Sequence, residues 1–79
     1  MLSIRQKTIV RYILGHPGGV AGHQLSELLR VSGKTIRNDI SDINRWMKEY
    51  EIRICASQKK GYYIPEAYRN HMMSVLENH

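Results

Sequence analysis

The sequence predicts a mainly α-helical domain with a small β-hairpin, in which three helices form a bundle and the hairpin follows the third. Two observations support this prediction. Apolar residues recur at helical spacing in three segments separated by glycine-containing breaks, and the period changes to two after Glu51. The chain of 79 residues has room for one domain, and a hydrophobic share of 42% suffices for a compact core.

The first helix is predicted to follow Ser3 and to end at Leu14. Ser3 is a favoured N-cap residue, and Gln6 three positions later completes a capping box. The apolar face of this helix consists of Ile9, Val10, Tyr12, Ile13 and Leu14. Residues 15–19 (Gly-His-Pro-Gly-Gly) then form a turn, and a short strand near Val20 is a candidate third edge for the hairpin.

The second helix is predicted from His23 to Leu29 or Arg30. Ala21 before it offers no side chain that can cap a helix. Its buried stripe is expected to contain Leu25, Leu28 and Leu29. The sequence Val-Ser-Gly at 31–33 is the next break.

The third helix, predicted from Gly33 to Tyr50 with Ser32 as its cap, has two chemically distinct faces. The apolar line contains Ile36, Ile40, Ile43, Met47 and Tyr50. The opposite side carries Lys34, Asn38, Ser41 and Arg45, with Arg37 and Lys48 flanking them. Asp39 lies beside the apolar line and is expected to bind a base of the first helix or the wing, while Trp46 is expected to be partly buried.

The hairpin is predicted from residues 52–64. Ile52, Ile54 and Ala56 alternate with Arg53, Cys55 and Ser57, which is typical of a strand. The turn at 58–61 (Gln-Lys-Lys-Gly) places glycine where positive φ is needed, and Pro65 ends the second strand. Tyr62 and Tyr63 face opposite sides, so one is expected in the core and the other is a candidate phosphate contact. A final helix from Glu66 to about Leu76 carries Tyr68, Met72 and Val75 on one side.

The second and third helices, with the tight turn between them, have the arrangement of a helix-turn-helix unit, and the hairpin has the position of a wing. The fold class predicted is therefore a winged helix-turn-helix. In a major groove, the first turns of the third helix would meet base edges, where Arg and Lys donate to guanine, Asn pairs with adenine and the Thr methyl contacts thymine. The free amides of Ser32 and Gly33 suit a phosphate. The predicted DNA-binding residues are Ser32, Gly33, Lys34, Thr35, Arg37, Asn38, Ser41 and Arg45 of the third helix, with Lys59 and Lys60 at the wing tip.

The net charge of +5 and the pI near 9.7 favour a polyanionic partner. The sequence has no apolar run long enough to span a bilayer and no secretory signal, and its single cysteine, Cys55, fits a reducing cytoplasm. Cys55 is expected to be a buried small side chain or an idle thiol. The four histidines lie far apart and are expected at the surface: His16, His23, His71 and His79. We expect no metal, no cofactor and no enzymatic activity, because no catalytic spacing or phosphate-binding loop is present.

Three strings resemble the N-terminal winged helix of bacterial sugar-operon regulators that carry phosphotransferase-system regulation domains, a group of activators and antiterminator-like proteins. These strings are residues 31–40 (Val-Ser-Gly-Lys-Thr-Ile-Arg-Asn-Asp-Ile), 50–54 (Tyr-Glu-Ile-Arg-Ile) and 60–64 (Lys-Gly-Tyr-Tyr-Ile), together with Asn44. Biotin-repressor and DeoR-type heads are similar. The chain departs from this pattern at Ala21 and Gly22, which replace the usual Thr or Ser cap of the second helix.

The resemblance implies a cytoplasmic bacterial transcription regulator that binds double-stranded DNA. Residues 1–65 would be the winged-helix DNA-binding domain, and residues 66–79 a C-terminal helix or a linker toward a sensor domain that this chain lacks. The full-length protein would be a homodimer, paired through the first helix or through Tyr68, Met72 and Val75. By position, the groove face would consist of Ser32, Lys34, Thr35, Arg37 and Asn38, and the wing would contribute Lys59 and Lys60.

Two other functions fit the same fold. A winged helix can bind a protein partner through its third helix, which calls for exposed apolar anchors there. RNA binding calls for exposed aromatic side chains, for which only Tyr62 or Tyr63 are candidates. Arg37 also has an alternative role, as the partner of Asp42 or Glu66 in a surface ion pair.

Overall fold

The structure, a computed structural model that describes residues 1–78, contains four α-helices and an antiparallel hairpin within that range. The helices are α1 (Ile4–Leu14), α2 (Gly22–Leu29), α3 (Gly33–Met47) and α4 (Glu66–Glu77), and the strands are β1 (Cys55–Ser57) and β2 (Gly61–Tyr63). This architecture confirms the predicted winged helix-turn-helix. His79, which we expected at the surface, lies outside the described residues; His16, His23 and His71 are exposed.

Helix α1 begins with the predicted capping box. The Ser3 hydroxyl accepts a hydrogen bond of 3.1 Å from the Gln6 amide, and the Gln6 side-chain oxygen accepts one of 3.0 Å from the Ser3 amide. These reciprocal bonds satisfy two N–H groups that a helix start otherwise leaves without partners. The helix buries Ile9, Val10, Ile13 and Leu14.

Helix α2 begins at Gly22, one residue earlier than predicted, and has only half of a capping box. The Gln24 side-chain oxygen accepts a hydrogen bond of 2.8 Å from the Ala21 amide, but Ala21 has no side-chain oxygen that could accept one from the Gln24 amide. Leu25 is buried, whereas Leu28 is 49% exposed, so the prediction that Leu28 is buried was wrong. Leu29 lies roughly 40° from Leu25 around the helix, on the side that faces the core. Leu28 lies roughly 60° from Leu25 in the opposite direction and is turned away from the core.

Helix α3 is α-helical to Met47, and its last turn tightens into a 3-10 helix at Lys48–Tyr50. The predicted extent to Tyr50 is therefore right, although the final turn is not α-helical. Glu51 ends it in the left-handed conformation, with φ of 59°. The predicted apolar residues Ile36, Ile40, Ile43 and Met47 are buried, and Tyr50 and Trp46 are partly buried.

The hairpin is shorter than predicted, because strand pairing begins only at Cys55, which lies opposite Tyr63. Ile52 and Ile54 are buried as expected, but Ala56 is exposed. Pairing does not extend to Ile54 because its amide and carbonyl both bind the Asn44 side chain. Cys55 is half-buried.

The predicted third edge is present as one antiparallel bridge between Val20 and Tyr62, whose two backbone hydrogen bonds are each 2.8 Å. Two glycines make this approach possible. Gly61 has a φ of 76°, and a Cβ there would lie 2.5 Å from the Val20 carbonyl oxygen. Gly19 has a φ of 103°, and its Cβ would lie 2.2 Å from the Lys60 carbonyl oxygen. The turn before α2 is therefore packed directly against the hairpin.

Helix α4 completes the core by burying Met72, Val75 and Leu76. The Arg69 guanidinium donates a hydrogen bond to the Leu14 carbonyl at the end of α1, where a positive charge is favoured. Met72 and Val75 are buried in the core of this chain, so the alternative prediction that they form a dimer face was wrong. Within residues 1–78, no helix combines the length and apolar character needed to cross a bilayer.

Candidate nucleic-acid interface

On one side, α3 is attached to α1 through Asp39, a buried carboxylate of α3 itself. Asp39 is 3% exposed, and its oxygens accept hydrogen bonds of 2.6 and 3.0 Å from the Arg5 guanidinium and one of 3.3 Å from the Gln6 side chain. These bonds confirm Asp39 as the structural partner of a base on the first helix. Hydrogen bonding to Asp39, and then the charge of Asp39, raises the pKa of Arg5.

On its other side α3 is fixed by Asn44. The Asn44 oxygen accepts a hydrogen bond of 2.8 Å from the Ile54 amide, and the Asn44 nitrogen donates one of 3.0 Å to the Ile54 carbonyl. This two-point contact sets the position of the hairpin relative to α3. The two contacts together hold α3 between α1 and the hairpin, with its remaining face toward solvent.

The first turn of α3 is capped by Ser32, whose hydroxyl accepts a hydrogen bond of 3.1 Å from the Thr35 amide. The Ser32 and Thr35 hydroxyls also lie 3.0 Å apart, and Thr35 is half-buried. Thr35 is therefore placed beside the cap, to one side of the solvent face. Ser32 and Gly33 are exposed.

The solvent face of α3 is cationic and polar. Its members span an arc of roughly 100° at 100° per residue, and all are exposed: Lys34, Arg37, Asn38, Ser41 and Arg45. We call these five residues the α3 solvent face. Arg45 lies 3.3 Å from the carboxylate of Asp42, which stands at the edge of this arc.

The two halves of the α3 solvent face differ in charge pairing. Among residues 1–78, neither Lys34 nor Arg37 forms an ion pair, so the alternative partners of Arg37, Asp42 and Glu66, do not bind it. Arg45 in the second half is partly neutralised by Asp42. The unbalanced positive charge is therefore concentrated in the first two turns of the helix.

The two wing lysines have different surroundings, although both are exposed. The Lys60 ammonium lies 4.9 Å from the centre of the Tyr63 ring, a cation–π contact. Pro17 and Arg69 line the surface on that side of the hairpin. Lys59 makes no such contact within the described part of the chain and projects from the turn.

The two tyrosines of β2 face opposite sides, as the alternation predicts, and both are half-buried. Tyr62 is the one that packs against the core. It also lines a groove of about 470 Å³ that runs between the hairpin and the starts of α2 and α3, a groove that also includes Arg37 and His23. The sequence did not indicate this groove, because its walls come from four separate segments.

Sequence reasoning also missed the roles of Asn44 and Arg69. In the sequence, Asn44 lies at the boundary between the polar and apolar faces of α3, which is the one signal of a buried contact there. Arg69 belongs to α4, where an isolated arginine gave no indication that it binds the end of α1.

The segment that carries α3 and the hairpin matches the sequence model of a known protein family. A sequence model described as an HTH domain matches residues 5–63, from the arginine that binds Asp39 to the last residue of β2. The match thus includes both contacts that position α3, the α3 solvent face and the hairpin. No curated protein and no solved structure gives a significant match to the chain.

Proposed function

The chain belongs to the HTH domain family, a family of DNA-binding domains, and on that premise we propose that α3 enters the major groove while the hairpin contacts the backbone or the minor groove. The observation that carries this proposal is the exposed and unpaired charge of Lys34 and Arg37 beside Asn38. These three side chains stand on the first two turns of a helix whose other faces are fixed by Asp39 and Asn44. Their chemistry matches base edges, since Lys and Arg donate to guanine and Asn pairs with adenine.

In this proposal the residues divide by role. Lys34, Arg37 and Asn38 read bases, with Ser41 and Arg45 further along the same groove. Ser32, Gly33 and Thr35 lie at the helix start, where amides and the helix dipole favour a phosphate. Lys59 and Lys60 neutralise backbone charge from the wing.

The resemblance of residues 31–40, 50–54 and 60–64 to sugar-operon regulators supports a narrower proposal. The chain would be the N-terminal DNA-binding head of a bacterial regulator that controls a sugar-uptake operon, with a sensor domain that follows residues 66–79. A homodimer would then read two half-sites about 10 base pairs apart, centre to centre. Selection of duplexes from a random pool by the full-length regulator tests this, because a homodimer should enrich palindromic sites.

The direct test is a fluorescence anisotropy titration with a selected duplex. Arg37→Ala should weaken binding by about 1–3 kcal/mol, because it removes a direct base contact. Arg11→Ala is the matched control: Arg11 is an exposed arginine of α1 that lines a surface shared with α4. Absence of duplex binding at low salt would reject the proposal, as would equal losses for the two variants.

A protein-binding winged helix is less well supported by the surface. The α3 solvent face is polar, and the large apolar side chains exposed within residues 1–78 lie elsewhere, at Met1, Ile4, Leu28 and Met73. Competition between duplex DNA and single-stranded RNA separates the two nucleic-acid functions, and a folded domain that binds neither would favour the protein-binding alternative. Displacement of the bound duplex by RNA at equal concentration would favour the RNA alternative.

A further inference from the structure

The groove beside Tyr62, defined here as the Tyr62 groove, has walls from α2, from α3 and from the two strands of the hairpin. Gly22, His23 and Ser26 of α2 form one wall, Gly33 and Arg37 of α3 form another, and Tyr62 stands on the hairpin wall. The Tyr62 ring packs against the start of α2, where a Cβ on Gly22 would lie 3.4 Å from a ring carbon. The groove therefore lies along one edge of the α3 solvent face.

A helix in the major groove has nucleic-acid backbone on both sides. An α-helix with its side chains is about 10–12 Å across, and the major groove is about 12 Å wide, so phosphodiester strands lie along both edges of the helix. Gly33, Arg37 and Asn44 lie within roughly 40° of one another around α3 and mark the edge that faces the hairpin. In the proposed docking, the strand on that side passes between α3 and the hairpin, over Tyr62.

The chemistry of the Tyr62 groove suits a phosphate. Within residues 1–78, the Tyr62 hydroxyl has no hydrogen-bond partner, and none of the residues that line the groove is acidic. Arg37 contributes an unpaired positive charge. A phenol hydroxyl can donate a hydrogen bond, and such a bond is strengthened when the acceptor is charged.

We propose that the Tyr62 hydroxyl donates a hydrogen bond to a single phosphate of the DNA strand that passes between α3 and the hairpin. This inference deepens the proposed function and rests on it. Tyr62 is then a positioning residue: it fixes how far α3 is rotated into the groove without reading a base. Tyr63, on the other side of the hairpin beneath Lys60, has no such role.

The test compares Tyr62→Phe with the matched control Tyr63→Phe on a selected duplex. Each variant loses one hydroxyl and keeps its ring, so the packing of the hairpin is retained, which circular dichroism and thermal unfolding verify. Loss of one hydrogen bond to a charged group should weaken binding about tenfold in Tyr62→Phe. Tyr63→Phe should bind like the wild type, and the ranking of duplex sequences should be the same for all three proteins.

A second measurement locates the contact. Duplexes with one uncharged methylphosphonate, moved linkage by linkage, should include one position that weakens the wild type about tenfold but weakens Tyr62→Phe no further. Equal losses for both proteins at every linkage, or equal affinities of the two tyrosine variants, would overturn the inference while leaving DNA binding intact. Failure of the wild type to bind any duplex would instead overturn the proposed function, and this inference with it.

Discussion

Replacement of Asn44 by alanine should destabilise the domain strongly, because it removes both hydrogen bonds that this side chain makes to the chain before β1. The Asn44 side chain satisfies the amide and the carbonyl of Ile54, a residue that is 3% exposed. Two hydrogen bonds contribute about 1 kcal/mol each, and a buried backbone group left without a partner costs about 1–3 kcal/mol. Water that enters the space left by the side chain will recover part of this, so we expect a loss of about 2–4 kcal/mol.

That loss is large compared with the total free energy of unfolding of the domain. A domain of this size has a free energy of unfolding of about 4–12 kcal/mol at the usual value per residue. The midpoint of thermal unfolding should fall by about 8–32 °C, since about 1 kcal/mol corresponds to roughly 4–8 °C in small domains. Thermal and urea unfolding followed by circular dichroism measure both quantities.

Asn38→Ala is the matched control, because Asn38 is exposed on the same helix and makes no hydrogen bond to another side chain within the described residues. Its free energy of unfolding should stay within about 0.5 kcal/mol of the wild type. Its DNA affinity should fall instead, so Asn38→Ala should weaken binding with little change in stability, whereas Asn44→Ala should lower the stability. If Asn44→Ala unfolds within about 0.5 kcal/mol of Asn38→Ala, the reasoning about the Ile54 contact is refuted.

Two further predictions concern the hairpin. Lys59→Ala should reduce the slope of log affinity against log salt concentration by about 0.9, the value for one phosphate contact. Lys60→Ala should reduce this slope less, because the Lys60 ammonium is held over the Tyr63 ring. Salt titrations that give the reverse order would count against this assignment. Gly61→Ala should cost more than about 1 kcal/mol of stability, since its Cβ would lie 2.5 Å from the Val20 carbonyl oxygen, whereas Gly18→Ala has open space around it and should be nearly neutral in urea unfolding.

The sequence alone predicted the features that depend on neighbouring residues. The capping box of Ser3 and Gln6 is contained in four residues, and the burial of Ile36, Ile40, Ile43 and Met47 follows from helical spacing. Gly61 indicated the hairpin turn for the same reason, because the need for positive φ is a property of the turn itself.

Predictions made from residue spacing failed where packing against other parts of the chain decided which residues are buried or paired. Leu28 has helical spacing from Leu25, yet it is exposed, because the core lies on the side of Leu25 where Leu29 packs and Leu28 points in the other direction. The strand predicted from Ile52 begins only at Cys55, because Asn44 takes the backbone groups of Ile54. Met72 and Val75 belong to one of the two surfaces predicted as alternatives for contact with a second subunit, and they fill the core of this chain instead.

The sequence by itself determined which segments are helical, which helix carries the basic face and where the chain turns, because these depend on interactions within a few residues. The tertiary structure decided that Asp39 binds Arg5 rather than the wing, and that Tyr62 and Arg37 border one groove. These arrangements join residues up to 34 positions apart, and no periodicity in the sequence records such separations. They exist because burial of the core brings the helices and the hairpin together, and only then do their side chains find one another.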